Sequence, residues 1–234
     1  MRICKKCIQP DSRPGIFFND NGICGACVWQ EEKKKIDWTS REKELHDIAN
    51  WAKKNSKGNY DCVIGVSGGK DSTFQALTAR DRLGLRCLLV NSEAEDITEI
   101  GKYNLENLKQ LGFDVISLRP NPKIMKKLIK YDFYKHGNPV KVTEFSLWSS
   151  SYIIADKFDI PLIVQGENPA LSLGVSKGGI SKGYDALEAN KQNTQALGWK
   201  EYLDVDGVEE KDLFVFHYDG ENLRKKGIKG VWLG

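Results

Sequence analysis

Residues 60–84 read "YDCVIGVSGGKDSTFQALTARDRLG", an apolar run, a turn of glycines and serines, and an amphipathic run closed by Gly84. This order predicts a buried strand, a tight turn and a helix. Two glycines, a lysine, an aspartate and two serines meet at one junction, residues 67–72. Such a turn suits an oligophosphate, because its backbone N–H groups face a concavity and the helix N-terminus adds a favourable dipole. Gly68 and Gly69 allow close backbone approach, Ser67 and Ser72 can donate to phosphate oxygens, and Lys70 supplies a cation. A tight turn with a capping serine and aspartate is the plainer alternative, and the lysine argues against it. The stretch is not a Walker A loop, since Ile64 stands where that pattern has its first glycine and Asp71 where it has Ser or Thr.

Outward from this junction the pattern alternates. "LRCLLVNS" (85–92), "FDVISLRP" (113–120) and "IPLIVQGEN" (160–168) read as further strands. "ITEIGKYNLENLKQLG" (97–112, ended by Gly112), "PKIMKKLIKYDFYKHG" (122–137) and "EFSLWSSSYIIADKFD" (144–159) read as helices. Near-continuous apolar strands separated by helices predict an α/β fold, a doubly wound parallel sheet covered on both faces. Upstream, residues 34–59 read as an amphipathic helix capped by Thr39 or Ser40. Ligands of such sheets bind beyond the carboxyl ends of the strands. "SGGKDS", "NSEAED" and "QGENPA" all fall there. "LSLGVSKGGISKGYD" (171–185) reads as a long loop, and the remainder mixes a helix with strand-like pieces.

Cys4, Cys7, Cys24 and Cys27 form C-x2-C-x16-C-x2-C. Two pairs at this separation have the spacing of a structural Zn2+ site, closed by four thiolates and so without an open catalytic position. Disulfides are the alternative, which a reducing compartment disfavours. The expected division is a zinc ribbon over 1–38 and the α/β domain over 39–234. Cys62 and Cys87 lie within apolar strands, where burial keeps a thiol inert. His46, His136 and His217 fall in unrelated segments and read as structural, as Trp148 and Trp199 read as packing residues.

The 234 residues are 29% charged and 40% hydrophobic with net charge +3, the composition of globular material with no demand for a polynucleotide partner. No run approaches the ~18 apolar residues of a membrane span, and the N-terminus lacks the apolar core of a signal peptide, so cytoplasmic residence is the expectation. The chain stops directly after the apolar "GVWLG", which leads to the expectation that a longer protein continues beyond it.

The S-G-G-x-D-S pattern at Ser67–Ser72, in its strand–turn–helix setting, resembles the signature of the PP-loop ATP pyrophosphatases, a superfamily of adenine nucleotide alpha-hydrolase-like fold. The resemblance covers about residues 60 to 170. It implies cleavage of ATP between the α- and β-phosphates, with Ser67, Gly68, Gly69, Lys70, Asp71 and Ser72 around the pyrophosphate and Asp71 positioning Mg2+. By the same resemblance Val90 and Asn91, at the end of the second predicted strand, and Gly166 border the nucleotide. Glu93, Glu95 and Asp96 lie near the adenine or ribose, although surface acids are the stronger reading for the last two. A finer resemblance, to the N-acetyl sugar amidotransferases of surface-polysaccharide and O-antigen biosynthesis, rests on the four-cysteine head, "PDSRPGI", "GICGAC", "IDW" followed by "REKEL", "YDCVIGVSGGKDST" and "IPLIVQGENPA". It implies conversion of an N-acetyl group on a nucleotide-linked or sialic-acid-like sugar into an acetamidino group, with Lys70, Asp71, Glu167 and Asn168 as catalytic residues. Read from the residues alone, Gly166-Glu167-Asn168 before Pro169 is equally a capped turn. Lys177, Lys182 and Tyr184 are candidates for the diphosphate of the sugar nucleotide. Neither Cys62 nor Cys87 sits in a nucleophile setting, so ammonia would come from a separate glutaminase. The rival readings are a tRNA-modifying enzyme of the same superfamily and an ATP-binding scaffold without turnover.

Overall fold

The computed structural model describes residues 1–12, 15–93, 96–166, 174 and 198–233. Cys62–Gly65 (β1) is the middle strand of a five-stranded sheet. Cys87–Ser92 (β2) and Asp114–Leu118 (β3) lie on one side of it, Leu162–Gln165 (β4) and Lys229–Trp232 (β5) on the other, in the order β3-β2-β1-β4-β5. Every pairing is parallel; Cys62 opposes Cys87 and Leu162, and Val164 opposes Val231. The strand order reverses between β1 and β4, and such a switch point opens a crevice at the carboxyl ends of the strands.

The apolar runs of β1, β2 and β4 are continuous because both faces of these strands are covered. Cys62 and Ile64 enter one core with Ala49 and Ala52 of Trp38–Asn55 (α2), Ala76 of Lys70–Leu77 (α3) and Leu108 of Glu99–Gln110 (α4). Val63, one residue out of phase, enters the opposite core with Tyr152 and Ala155 of Lys141–Phe158 (α6) and with Leu223 of Gly220–Lys225 (α7). A third core joins Pro122–His136 (α5) and the first turns of α6 to two 3₁₀ segments, Trp199–Asp204 and Glu210–Phe216; Leu128, Phe145, Tyr202 and Phe216 fill it. The expected strand-like pieces there are therefore 3₁₀ turns until β5, whose Val231 and Trp232 do pair with β4.

The first 36 residues form a small head. Two isolated bridges, Ile3 with Pro10 and Phe18 with Cys24, precede Gly25–Lys33 (α1), and Ile16, Phe18, Ile23 and Ala26 pack on three of the cysteines. Helix α2 is capped by Asp37, whose carboxylate accepts from the amides of Thr39 (3.0 Å) and Ser40 (3.1 Å). This corrects the expected cap at Thr39 or Ser40: of the three residues able to cap within positions 37–40, the charged acceptor Asp37 takes the place. The helix after the glycine turn does run to Gly84 (φ +65°), but it widens into a π turn over Thr78–Arg82. At the feet of β1 and β2, Asp61 accepts from the Arg86 backbone (2.8 Å) and guanidinium (2.7 Å), fastening the two strand entries. Among the described residues no helix is long and apolar enough to cross a membrane.

Candidate functional site

The turn between β1 and α3 lies at the switch point. Gly68 has φ +76°, and a Cβ there would stand 3.1 Å from Cβ of Asn104 and 3.2 Å from the backbone nitrogen of Leu105 in α4. Both the left-handed backbone and the close approach call for glycine. Ser67 and Ser72 close the turn on itself: the Gly69 amide donates to Ser67 Oγ (3.4 Å), and the Ser72 hydroxyl donates to the Gly69 carbonyl (3.1 Å). Gly69 is the N-cap of α3 and no side chain caps that end, so the first-turn amides remain available to an anion. Lys70 and Asp71 project into solvent with side chains 88% and 83% exposed, and pair with each other at 2.6 Å. A phosphate entering the turn would compete with Asp71 for the ammonium of Lys70.

Two buried amides hold the turn from beneath. Asn91, 3% exposed at the end of β2, donates to the Val66 carbonyl at 2.8 Å, and the Val66 amide donates to the Val90 carbonyl at 2.8 Å. The structure thus places Asn91 as a brace under the turn and the Val90 side chain in a core, while the Asn91 Oδ1 has no partner. Gly166 ends β4 with the Gln75 side chain of α3 against it; a Cβ on Gly166 would fall 1.8 Å from Gln75 Nε2. Ser67, Gly68, Gly69, Lys70, Asp71 and Ser72 are therefore together, with Asn91 and Gly166 on elements that brace them. Glu93 faces Arg119 at 3.9 Å. Glu95, Glu167, Asn168, Lys177, Lys182 and Tyr184 lie outside the described residues.

The four head cysteines converge, their sulfurs all within 4.8 Å of one another. Cys4 and Cys27 are 4.0 Å apart, Cys7 and Cys24 3.6 Å. Tetrahedral zinc with Zn–S near 2.3 Å puts its thiolates about 3.8 Å apart, so the spacing fits a four-thiolate ion. Burial pushes the Cys4 thiol up, but amide donors from Cys24, Lys6 and Cys7 outweigh it and hold its pKa at about 6. Burial and the neighbouring thiols drive Cys27 upward. One ready thiolate beside buried thiols that a cation would deprotonate is the donor chemistry of a metal site. All six cysteines are free. Cys62 and Cys87 lie 3.5 Å apart across β1 and β2, and that contact, with burial, raises Cys62 well above the usual thiol range.

A second polar group was not anticipated from the sequence. Asp132, His136 and Glu201 bring their donor atoms within 4.8 Å of one another. The buried ammonium of Lys141 contacts Glu201 and stands 3.7 Å from Asp132, His136 meets Glu201 at 2.9 Å, and the Tyr202 hydroxyl donates to Asp132 at 3.0 Å. Lys141 already fills the place of a cation, so the cluster ties α5, α6 and the first 3₁₀ segment together. Its signal was a charge in apolar phase: Ile124, Leu128 and Asp132 follow one another at i, i+4. The histidines otherwise match expectation, with His217 stacked on Trp199 at 3.8 Å and His46 paired with Glu42.

Fold and site define a doubly wound parallel α/β domain with a glycine–serine turn at its switch point and a four-thiol head. No protein-family model matches the sequence, and comparison with curated proteins finds no match. Among solved structures, a predicted subunit of tRNA methyltransferase from Methanocaldococcus jannaschii is similar at 17% identity and TM-score 0.37, covering 74% of this chain and 66% of that one, just under two thirds of its length. NMN synthetase from Francisella tularensis is similar at 15% identity and TM-score 0.38, covering 79% of this chain and 95% of that one. At this level of likeness the functional reading rests on the chain's own residues.

Proposed function

We propose that the chain is an ATP-dependent enzyme of the PP-loop pyrophosphatase type, and more specifically the synthetase subunit of an amidotransferase acting on N-acetyl sugars for surface-polysaccharide (lipopolysaccharide, O-antigen) biosynthesis. The observation that carries the first part is the turn at Gly68–Ser72. Its backbone is fixed in a left-handed conformation against α4, the helix behind it is uncapped, and the exposed Lys70 stands at its mouth, paired with Asp71. The second part rests on the sequence resemblance of the head, the turn and "QGENPA".

In this reading the amide oxygen of the substrate's N-acetyl group attacks the α-phosphorus of ATP, the α–β P–O bond breaks, and pyrophosphate leaves. Ammonia then adds to the activated carbon and AMP departs, leaving an acetamidino group. The backbone amides of the turn, the hydroxyls of Ser67 and Ser72 and the ammonium of Lys70 hold the pyrophosphate. Their contribution is placement and charge stabilisation. Asp71 would hold Mg2+, which neutralises phosphate charge when bound, and Cys4, Cys7, Cys24 and Cys27 would hold structural zinc. Glu167 and Asn168 would orient ammonia and the amide. A separate glutaminase supplies the ammonia, and the enzyme works in the cytoplasm.

The test is pyrophosphate release from Mg-ATP and ammonium, with a nucleotide-activated N-acetylamino uronic acid or with bulk tRNA. Sugar-dependent release that disappears in Asp71→Ala supports the proposal. Release with tRNA alone replaces it with the RNA-modifying reading, and release with neither leaves a nucleotide-binding scaffold.

A further inference from the structure

The second cysteine knuckle, Cys24-Gly25-Ala26-Cys27, is packed backbone to backbone against Gly174. The Phe17 amide donates to the Gly174 carbonyl at 3.4 Å. A Cβ on Gly25 would lie 2.3 Å from that carbonyl oxygen and 2.5 Å from the Phe17 ring. A Cβ on Gly174 would lie 2.6 Å from the Ala26 nitrogen, and Gly174 has φ +65°. The contact therefore excludes a side chain from either partner, and on Gly174 it also demands a left-handed backbone. Eight positions earlier, Gly166 lies against the side chain of Gln75, a residue only 6% exposed on the helix that opens at the glycine–serine turn, a contact that a side-chain shift could relieve. Gly166 thus stands against α3, and Gly174 against the cysteine head.

We propose that the four-cysteine head is a positioning element for Gly174, with Gly25 and Gly174 as the positioning residues. Metal held by the thiols fixes the knuckle, and the knuckle fixes Gly174. Among the described residues, the apolar cluster packed on the cysteines is small: Ile16, Phe18, Ile23 and Ala26. A unit this small depends on its metal for stability. Coupling of this kind is reciprocal, so whatever the metal does for the seating of Gly174, that seating does for retention of the metal. The inference rests on the proposed function only in expecting turnover to respond to the seating of Gly174.

Hydrogen exchange read by mass spectrometry on the full, zinc-loaded chain tests this. Stripping the metal with a chelator should raise exchange in peptides 1–30 and also in peptides spanning 162–176, while peptides of β2 and β3 keep their protection. In Gly174→Ala, transfer of zinc to a chromogenic chelator should accelerate about tenfold, within the ~5- to 150-fold range of coupled sites. In turnover, the same variant should lower kcat for pyrophosphate release and leave the KM for ATP unchanged. If chelation opens only peptides 1–30, or the variant keeps zinc at the wild-type rate, the head is an independent appendage and the proposal is wrong. Should Gly174→Ala fail to fold, the chelation experiment on the wild-type chain decides alone. Exchange and zinc transfer do not require turnover, so a failure of the enzymatic reading leaves this result intact, and a failure of the coupling leaves that reading intact.

Discussion

Asn91 donates from Nδ2 to the Val66 carbonyl at 2.8 Å and so fastens the end of β2 to the first residue of the anion turn. Val66 returns the arrangement by donating its amide to the Val90 carbonyl at 2.8 Å. The two bonds hold the entry of the turn rigidly to the sheet, and a turn that is not reorganised on binding loses less when it closes on phosphate. Asn91→Leu leaves the Val66 carbonyl buried without a donor and should cost about 1–3 kcal/mol of stability. Urea unfolding measures the stability, and calorimetric titration with ATP should show affinity falling with it. Unchanged affinity in a folded variant would separate the brace from the site.

Two glycines with similar backbones allow strain to be distinguished from contact. Gly68 (φ +76°) approaches Asn104 and Leu105, whereas Gly112 (φ +86°) has nothing within 4 Å of its missing Cβ. Alanine at either position pays about 1–2 kcal/mol for the left-handed conformation. Gly68→Ala must also push α4 away, so it should be the less stable of the two and should lose nucleotide binding, while Gly112→Ala should bind nucleotide normally. Thermal denaturation and ATP titration of the pair check this.

The Asp61–Arg86 pair sets an acid limit. Burial pushes the Asp61 carboxyl up, but hydrogen bonds from the Arg86 guanidinium and backbone outweigh it and hold the group below its ordinary 3.8. A depressed folded pKa contributes stability that is present above 3.8 and is lost as the pH falls through the lower folded value. Denaturant midpoints measured from pH 6 downward should therefore fall more steeply below about pH 4 in the wild type than in Asp61→Ala. Parallel curves would mean that the pair contributes nothing to acid sensitivity.

Lys141 is the only cation fully enclosed with the carboxylates of Asp132 and Glu201 among the described residues, with a side chain 4% exposed. Lys141→Met leaves the acids facing each other and should destabilise the chain by about 3–5 kcal/mol. Guanidinium unfolding measures the loss. The triple replacement of Lys141, Asp132 and Glu201 by apolar residues of similar volume should recover most of it, because no uncompensated charge then remains.

Much of the fold was legible because burial on both faces writes itself as unbroken apolar runs: "CVIG", "CLLVNS" and "LIVQ" are the three inner strands. The strand–turn–helix at Ser67–Ser72 was legible because its glycines mark the turn between an apolar run and an amphipathic one. Entry to α2 was read two or three residues late because Asp37, Thr39 and Ser40 compete for the same cap. The segment around Phe214–Phe216 read as strand-like, since its aromatic and β-branched residues favour strands; local 3₁₀ bonds and packing on α6 win instead. The pairings of the supporting polar groups were not legible, although Asp132 in apolar phase and Asn91 at a strand end were themselves visible. Asn91 acts on a partner 25 residues away and Lys141 on one 60 residues away, and no local pattern announces such pairs.

The central claim is that the turn at Ser67–Ser72 directs cleavage of ATP to the α–β bond. The most direct measurement is the identity of the products when the zinc-loaded chain turns over Mg-ATP with ammonium and an N-acetyl sugar nucleotide, resolved by anion-exchange chromatography. The account predicts AMP and pyrophosphate in equal amounts, with both lost in Gly68→Ala and Asp71→Ala. ADP and orthophosphate, or AMP formation that survives both substitutions, would contradict it.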